Sequence, residues 1–78
     1  MSKYYSKIHV QYKNGSKASS VKVYLAFTSL LGGVTKTFYT DRNGTAIVEH
    51  AGQGEAKVIV KGTTRCKIKA PGETVVFI

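Results

Sequence analysis

Apolar and polar residues alternate one by one along most of the chain, a period of two that predicts strands with one face buried. In the first run Ile8, Val10 and Tyr12 interleave with Lys7, His9, Gln11 and Lys13, and Asn14-Gly15 ends it in a turn. In the second, Val21, Val23, Leu25 and Phe27 interleave with Lys22, Tyr24, Ala26 and Thr28, before a glycine-marked loop at Leu30-Leu31-Gly32-Gly33. A third strand is expected over 35–40, with Phe38 facing inward.

The polar stretch Asp41-Arg42-Asn43-Gly44 then carries the chemistry of a hairpin turn. The Asp carboxylate accepts from the backbone two residues on, and Asn and Gly tolerate positive φ. Thr45–His50 reads as a fourth strand. Glu55–Lys61 follows as a fifth, with Ala56, Val58 and Val60 in phase, and Thr64–Ala70 as a sixth, with Cys66 and Ile68 inward. Pro71-Gly72 predicts a type II turn into a last strand, Thr74–Ile78, with Val75 and Phe77 inward. Seven short strands with frequent turns and no helical period predict an all-β domain over 1–78, an antiparallel sandwich or small barrel. Its expected core is Ile8, Val10, Val21, Val23, Leu25, Phe27, Phe38, Val48, Val58, Val60, Ile68, Val75 and Phe77.

The stretches NGSKASSVKVYLAF, TKTFYTDRNGTAIVEH and GQGEAKVIVKG carry a family likeness. Val21 and Val23, then Thr40, Asp41 and Gly44, then Ala46 and Val48, then Val58, Val60 and Gly62 match a V-x-V, T-D-x-x-G, G-x-A-x-V, V-x-V-x-G succession. Over residues 7–78 the chain resembles the carboxypeptidase regulatory-like, or transthyretin-like, β-sandwich domains, which implies a seven-stranded antiparallel Greek-key β-sandwich of Ig-like or transthyretin-like type. The resemblance implies an accessory, adhesive or structural module more than a chemistry, since one fold hosts many functions. Two active branches of that fold are not matched. The cross-linking pilin-like members need an Asn in the last strand, and here Asn14 and Asn43 both lie in turns. The purine-pathway hydrolases end in Tyr-Arg-Gly-Ser, whereas this chain ends Val75-Val76-Phe77-Ile78.

Composition changes the picture in two respects. A chain of 78 residues has little room for a deep pocket. Twelve Lys and Arg against four acids leave a net charge of +8, which bears on partners and not on fold. The single cysteine, Cys66, can close no internal disulfide, and no secretory apolar stretch or membrane-spanning run is present. A cytoplasmic location is expected if the chain is complete.

Candidate catalytic chemistry is thin, and no enzyme activity or cofactor is expected. Of the carboxylates Asp41, Glu49, Glu55 and Glu73, three lie in or beside turns. His9 and His50 are both assigned outward phases, from which they could meet across a sheet. A zinc site would still need Cys66 and Glu49 as further ligands, and Cys66 reads as a small core residue. Arg65 and Lys67 flank Cys66 but point to the opposite face of the strand, and no base can be placed near the thiol.

Charge placement is more pointed. KVIVKGTTRCKIK, residues 57–69, holds five cations and no acid. If strands five and six form a hairpin, Lys57, Lys61, Arg65, Lys67 and Lys69 make an outward cationic ladder, a candidate polyanion-binding surface. Like charges set opposite in a sheet are mildly destabilising, and edge cations also guard against strand-to-strand association. Tyr24 and Tyr39 could add stacking platforms. The first expectation is a non-catalytic structural or protein-interaction module working through an exposed strand edge, with a protein partner, an acidic one being suited to the charge. The second is electrostatic nucleic-acid binding by the basic 57–69 hairpin.

Overall fold

The computed structural model describes residues 3–28 and 33–78; the loop expected at Leu30-Leu31-Gly32 falls outside them. Seven strands follow in order: β1 (Tyr4–Gln11), β2 (Lys22–Phe27), β3 (Phe38–Tyr39), β4 (Thr45–His50), β5 (Gly54–Val60), β6 (Thr63–Ala70) and β7 (Glu73–Phe77). They form two sheets, one ordered β4-β1-β7 and the other β3-β2-β5-β6. The chain is all-β. Inward residues of both sheets meet in one apolar cluster: Ile8, Val10, Ala46, Val48 and Val76 from the first, Val23, Leu25, Phe27, Ala56, Val58 and Val60 from the second. Phe38, Cys66 and Ile68 pack against it while partly exposed.

The expected third strand over 35–40 shrinks to two residues. Its exit is held by Thr40, whose buried hydroxyl donates to Ala18 O (2.6 Å) and accepts from Val21 N–H (2.9 Å). The 41–44 turn has the expected chemistry: Asp41 Oδ1 accepts from the N–H groups of Asn43 and Thr45 (2.8 and 3.1 Å). It is not a hairpin turn, however. It carries the chain from one sheet to the other, because β4 pairs with β1 and not with β3. Gly44 is needed there twice over, since its φ is +75° and a Cβ would stand 2.6 Å from Val10 O.

Three further expectations are corrected at the end of the chain. The sheets are not wholly antiparallel, because β7 runs parallel to β1. Pro71-Gly72 is not a type II turn: the Ala70–Pro71 peptide is cis and Gly72 is not among the positive-φ glycines. Val75 and Phe77 are 48% and 56% exposed, and Val76 takes the core position at 4%. The register explains the inversion. Val10 pairs with Val76 and Ile8 with Thr74, so the inward phase of β1 fixes that of β7. Tyr12, expected inward, lies beyond the end of β1 and is 42% exposed.

Truncating the two neighbouring valines should separate these phases. Val76→Ala is expected to cost about 1.5–3 kcal/mol, from burial lost at ~0.8 kcal/mol per methylene plus a cavity. Val75→Ala should stay within roughly 0.5 kcal/mol, as exposed substitutions do. Urea midpoints of the two variants would measure the difference.

Candidate functional site

The five cations of the 57–69 stretch do not form a single ladder. Lys57 and Lys67 are direct register partners on the outer face of the four-stranded sheet, and Lys69 stands one pair along, opposite Glu55. Glu55, just outside the basic stretch, also approaches Lys67 (Nζ–Oε1 4.0 Å). The register shifts between Val58 and Ile59. Arg65 lies opposite that irregularity, and its Nε–H donates back to Val60 O at 3.2 Å. Lys61, expected at the end of the fifth strand, sits in the turn itself, where Lys61 and Gly62 take φ values of +54° and +79°, a type I′ pair. The structure therefore groups Lys57, Lys67 and Lys69 and sends Arg65 and Lys61 elsewhere. Tyr24 and Tyr39 do share the outer face with the trio, Tyr24 opposite Ile59 and Tyr39 opposite Lys22.

The two histidines do not meet. His9 lies on the outer face of the three-stranded sheet, whereas His50, expected outward, is 5% exposed and continues the inward phase of Ala46 and Val48. Its ring is tilted against Phe27 and stacked near Tyr4. Nδ1–H donates to Gly52 O (2.8 Å), so Nε2 accepts from the hydroxyl of buried Ser6 (2.8 Å), which in turn accepts from Gly72 N–H (3.1 Å). A hydroxyl on an imidazole nitrogen has the form of an activated nucleophile. Here Ser6 is fully buried, and every member of the chain has its partner. The relay ties β1 to the β4–β5 and β6–β7 connections. Its signal in the sequence was parity: Ser6 is in phase with Ile8 and Val10.

A second relay crosses the opposite face. Thr45 Oγ1 lies 2.9 Å from His9 Nδ1, and His9 Nε2 donates to Glu73 Oε2. Nucleophile, base and carboxylate thus stand in the order of a hydrolytic triad. They lie on an open sheet, and Thr45 and His9 line none of the four clefts that run beside Phe38, Lys22, Cys66 and Pro71. The hydrogen bond from His9 holds the Glu73 carboxyl below its ordinary value, against desolvation and helped by the charges of His9 and Lys7.

The free edge of β7 is the other notable surface. Lys7 N–H donates to Gly72 O (2.9 Å) and Ile78 N–H to Gln11 O (2.8 Å), so the even positions face β1. Backbone groups alternate sides along a strand, and those of Glu73, Val75 and Phe77 are left pointing away from the sheet. Both edges of the four-stranded sheet are guarded; β4, the other edge of the three-stranded sheet, is six residues long and bears Glu49. β6 carries Arg65, Lys67 and Lys69, and β3 is two residues long. Beside the open edge runs a groove of about 470 Å³ lined by Lys13, Thr64, Arg65, Cys66, Val75 and Phe77. No acid lines it, and the Cys66 thiol is half-buried there.

No helix among the described residues is long and apolar enough to cross a membrane. Comparison with known proteins gives no match: no family model, curated protein or solved structure corresponds to the chain.

The outer relay can be read by carboxyl-detected NMR titration. Glu73 should titrate below the ordinary 4.5 and move back toward it in His9→Gln. Since the folded-state value is the depressed one, the stability it contributes is present above pH 4.5 and is lost as pH falls through the folded-state midpoint. Glu73→Gln should therefore flatten that part of the acid limb.

Proposed function

We propose that the chain is a non-catalytic interaction module that takes up an extended segment of a partner protein as an added strand along β7. The observation carrying this reading is the unguarded edge, whose outward N–H and C=O groups at Glu73, Val75 and Phe77 stand beside the 470 Å³ groove. Strand addition draws affinity from main-chain hydrogen bonds and specificity from alternate side chains. Val75 and Phe77 would meet apolar residues at every second position of the partner, and Lys13 and Arg65 would meet an acid. The scaffold reading is a Greek-key sandwich of the transthyretin-like kind. It is supported by the passage of β3 through β4 to β5 by way of the opposite sheet, and by the single core between the sheets.

Peptides selected by display for binding, then titrated into labelled protein, test this. They should share alternating apolar residues with an acid, shift the Glu73, Val75 and Phe77 amides, and lose binding to Val75→Lys while its urea midpoint stays unchanged. Peptides that shift the Lys57, Lys67 and Lys69 strands instead, or that still bind Val75→Lys, would overturn it.

A second reading, electrostatic nucleic-acid binding, is favoured by one observation: the opposed Lys57 and Lys67 share a face with Tyr24 and Tyr39. Anisotropy of labelled single- and double-stranded oligonucleotides across a salt series measures it. On this reading binding persists near physiological salt, falls in Lys57→Gln/Lys67→Gln/Lys69→Gln, and has a slope that counts the phosphates contacted. Loss of binding by ~0.15 M salt would mark the charge as generic.

A further inference from the structure

Adjoining the β7 groove, where Tyr12 gives way to Lys13 and Gly62 to Thr63, the start of β2 and the β5–β6 turn enclose an open cleft of about 540 Å³. Tyr12, Ser19, Ser20, Lys22 and Lys61 contribute to its wall, and no acid does. The main chain joins its two cations, since Lys61 N–H donates to Lys22 O at 3.0 Å. Among the described residues neither lysine is ion-paired.

The backbone of this cleft is unusual. Among the described residues two non-glycines have positive φ, Ser20 at +57° and Lys61 at +54°, and both line it. Left-handed backbone is costly for residues with a Cβ, and a type I′ turn prefers Asn, Asp or Gly where Lys61 stands. Glycine would remove the cost at either position. Strain of this kind collects at ligand sites. Here the two strained residues bring a hydroxyl and an ammonium to the same cavity.

We propose that this cleft binds a phosphate monoester, with the phosphoryl group between Lys22 and Lys61 and the hydroxyls of Ser19, Ser20 and Tyr12 as further donors. Lysine serves phosphate as a compact point charge on a flexible stem, which suits two cations arriving from different strands. The volume exceeds what inorganic phosphate would fill and lies within the ordinary range of small-molecule sites. The organic part of the ester would lie along the Tyr12 ring. The ester could be a free small molecule or the terminal phosphate of a nucleic-acid strand. The site neighbours the β7 groove but rests on Lys22 and Lys61, neither of which lines that groove.

Amide NMR titrations with inorganic phosphate and phenyl phosphate, at ionic strength fixed with chloride, test the proposal. Saturable shifts are expected at Ser19, Ser20, Lys22, Lys61 and Gly62. Lys61→Gly should weaken binding about tenfold or more, the effect of losing one charge-assisted contact. Glycine accepts the positive φ, so this variant keeps the turn. Lys67→Gln/Lys69→Gln should bind as the parent does. Linear, unsaturated shifts, equal shifts with chloride, or undiminished binding by Lys61→Gly would overturn it. Oligonucleotides with and without a 5′-phosphate separate the sources: preference for the phosphorylated strand assigns a nucleic-acid end, and binding of phenyl phosphate without that preference assigns a small ester.

Discussion

Across the three-stranded sheet, Ile8 and Val10 lie level with Thr74 and Val76, and that parallel register of β7 on β1 governs much of what the surface offers. A slip of one residue would bury Val75 and Phe77 and turn Val76 outward. It would also remove Glu73 from reach of His9 and rearrange the groove beside β6. The register is anchored at both ends of the pairing, by Gly72 O on Lys7 and Gln11 O on Ile78. Ser6 reinforces the first anchor by accepting from Gly72 N–H while it donates to His50. A buried, fully satisfied polar relay thus positions the strand whose free edge is exposed.

Local pattern was enough for much of this fold. The alternation in β2 assigns Val21, Val23, Leu25 and Phe27 to inward positions, and they occupy them, as Val48 of β4 does its own. The Asp41–Gly44 turn was legible because its hydrogen bonds are made within five residues. What the turn connects was not legible, since a tight turn bends the chain in the same way inside a sheet or between two.

The failures share a cause. In TVVFI both parities are apolar, so period two cannot choose a face, and the pairing partner chooses it. His50 was misplaced by polarity although its parity with Ala46 and Val48 pointed inward. Imidazole enters a core when both nitrogens find partners, and Gly52 and Ser6 supply them. The cationic stretch divided for a non-local reason as well. The irregularity opposite Val58 and Ile59 displaces Arg65 from the rank of Lys67 and Lys69, and the turn claims Lys61. Neither cleft could be read from sequence spacing: one joins Lys13 to β6 and β7, the other Tyr12 to Lys22 and Lys61.

Net charge of +8 would suggest a uniformly adhesive surface, yet the geometry distributes the charge unequally. Along β6, Arg65, Lys67 and Lys69 repel a second basic chain and deter strand pairing at that edge. The edge of β7 has Glu73 as its one charged side chain and offers alternating apolar groups. A copy of this chain approaching β7 with its own β6 would bring cations against apolar surface and against Lys13 and Arg65 in the groove, an unfavourable match. An acidic, alternating segment meets no such penalty. On the proposed reading, the same cations that protect one edge from self-association would bias the other toward a foreign strand, and specificity would arise as much from what is repelled as from what is held.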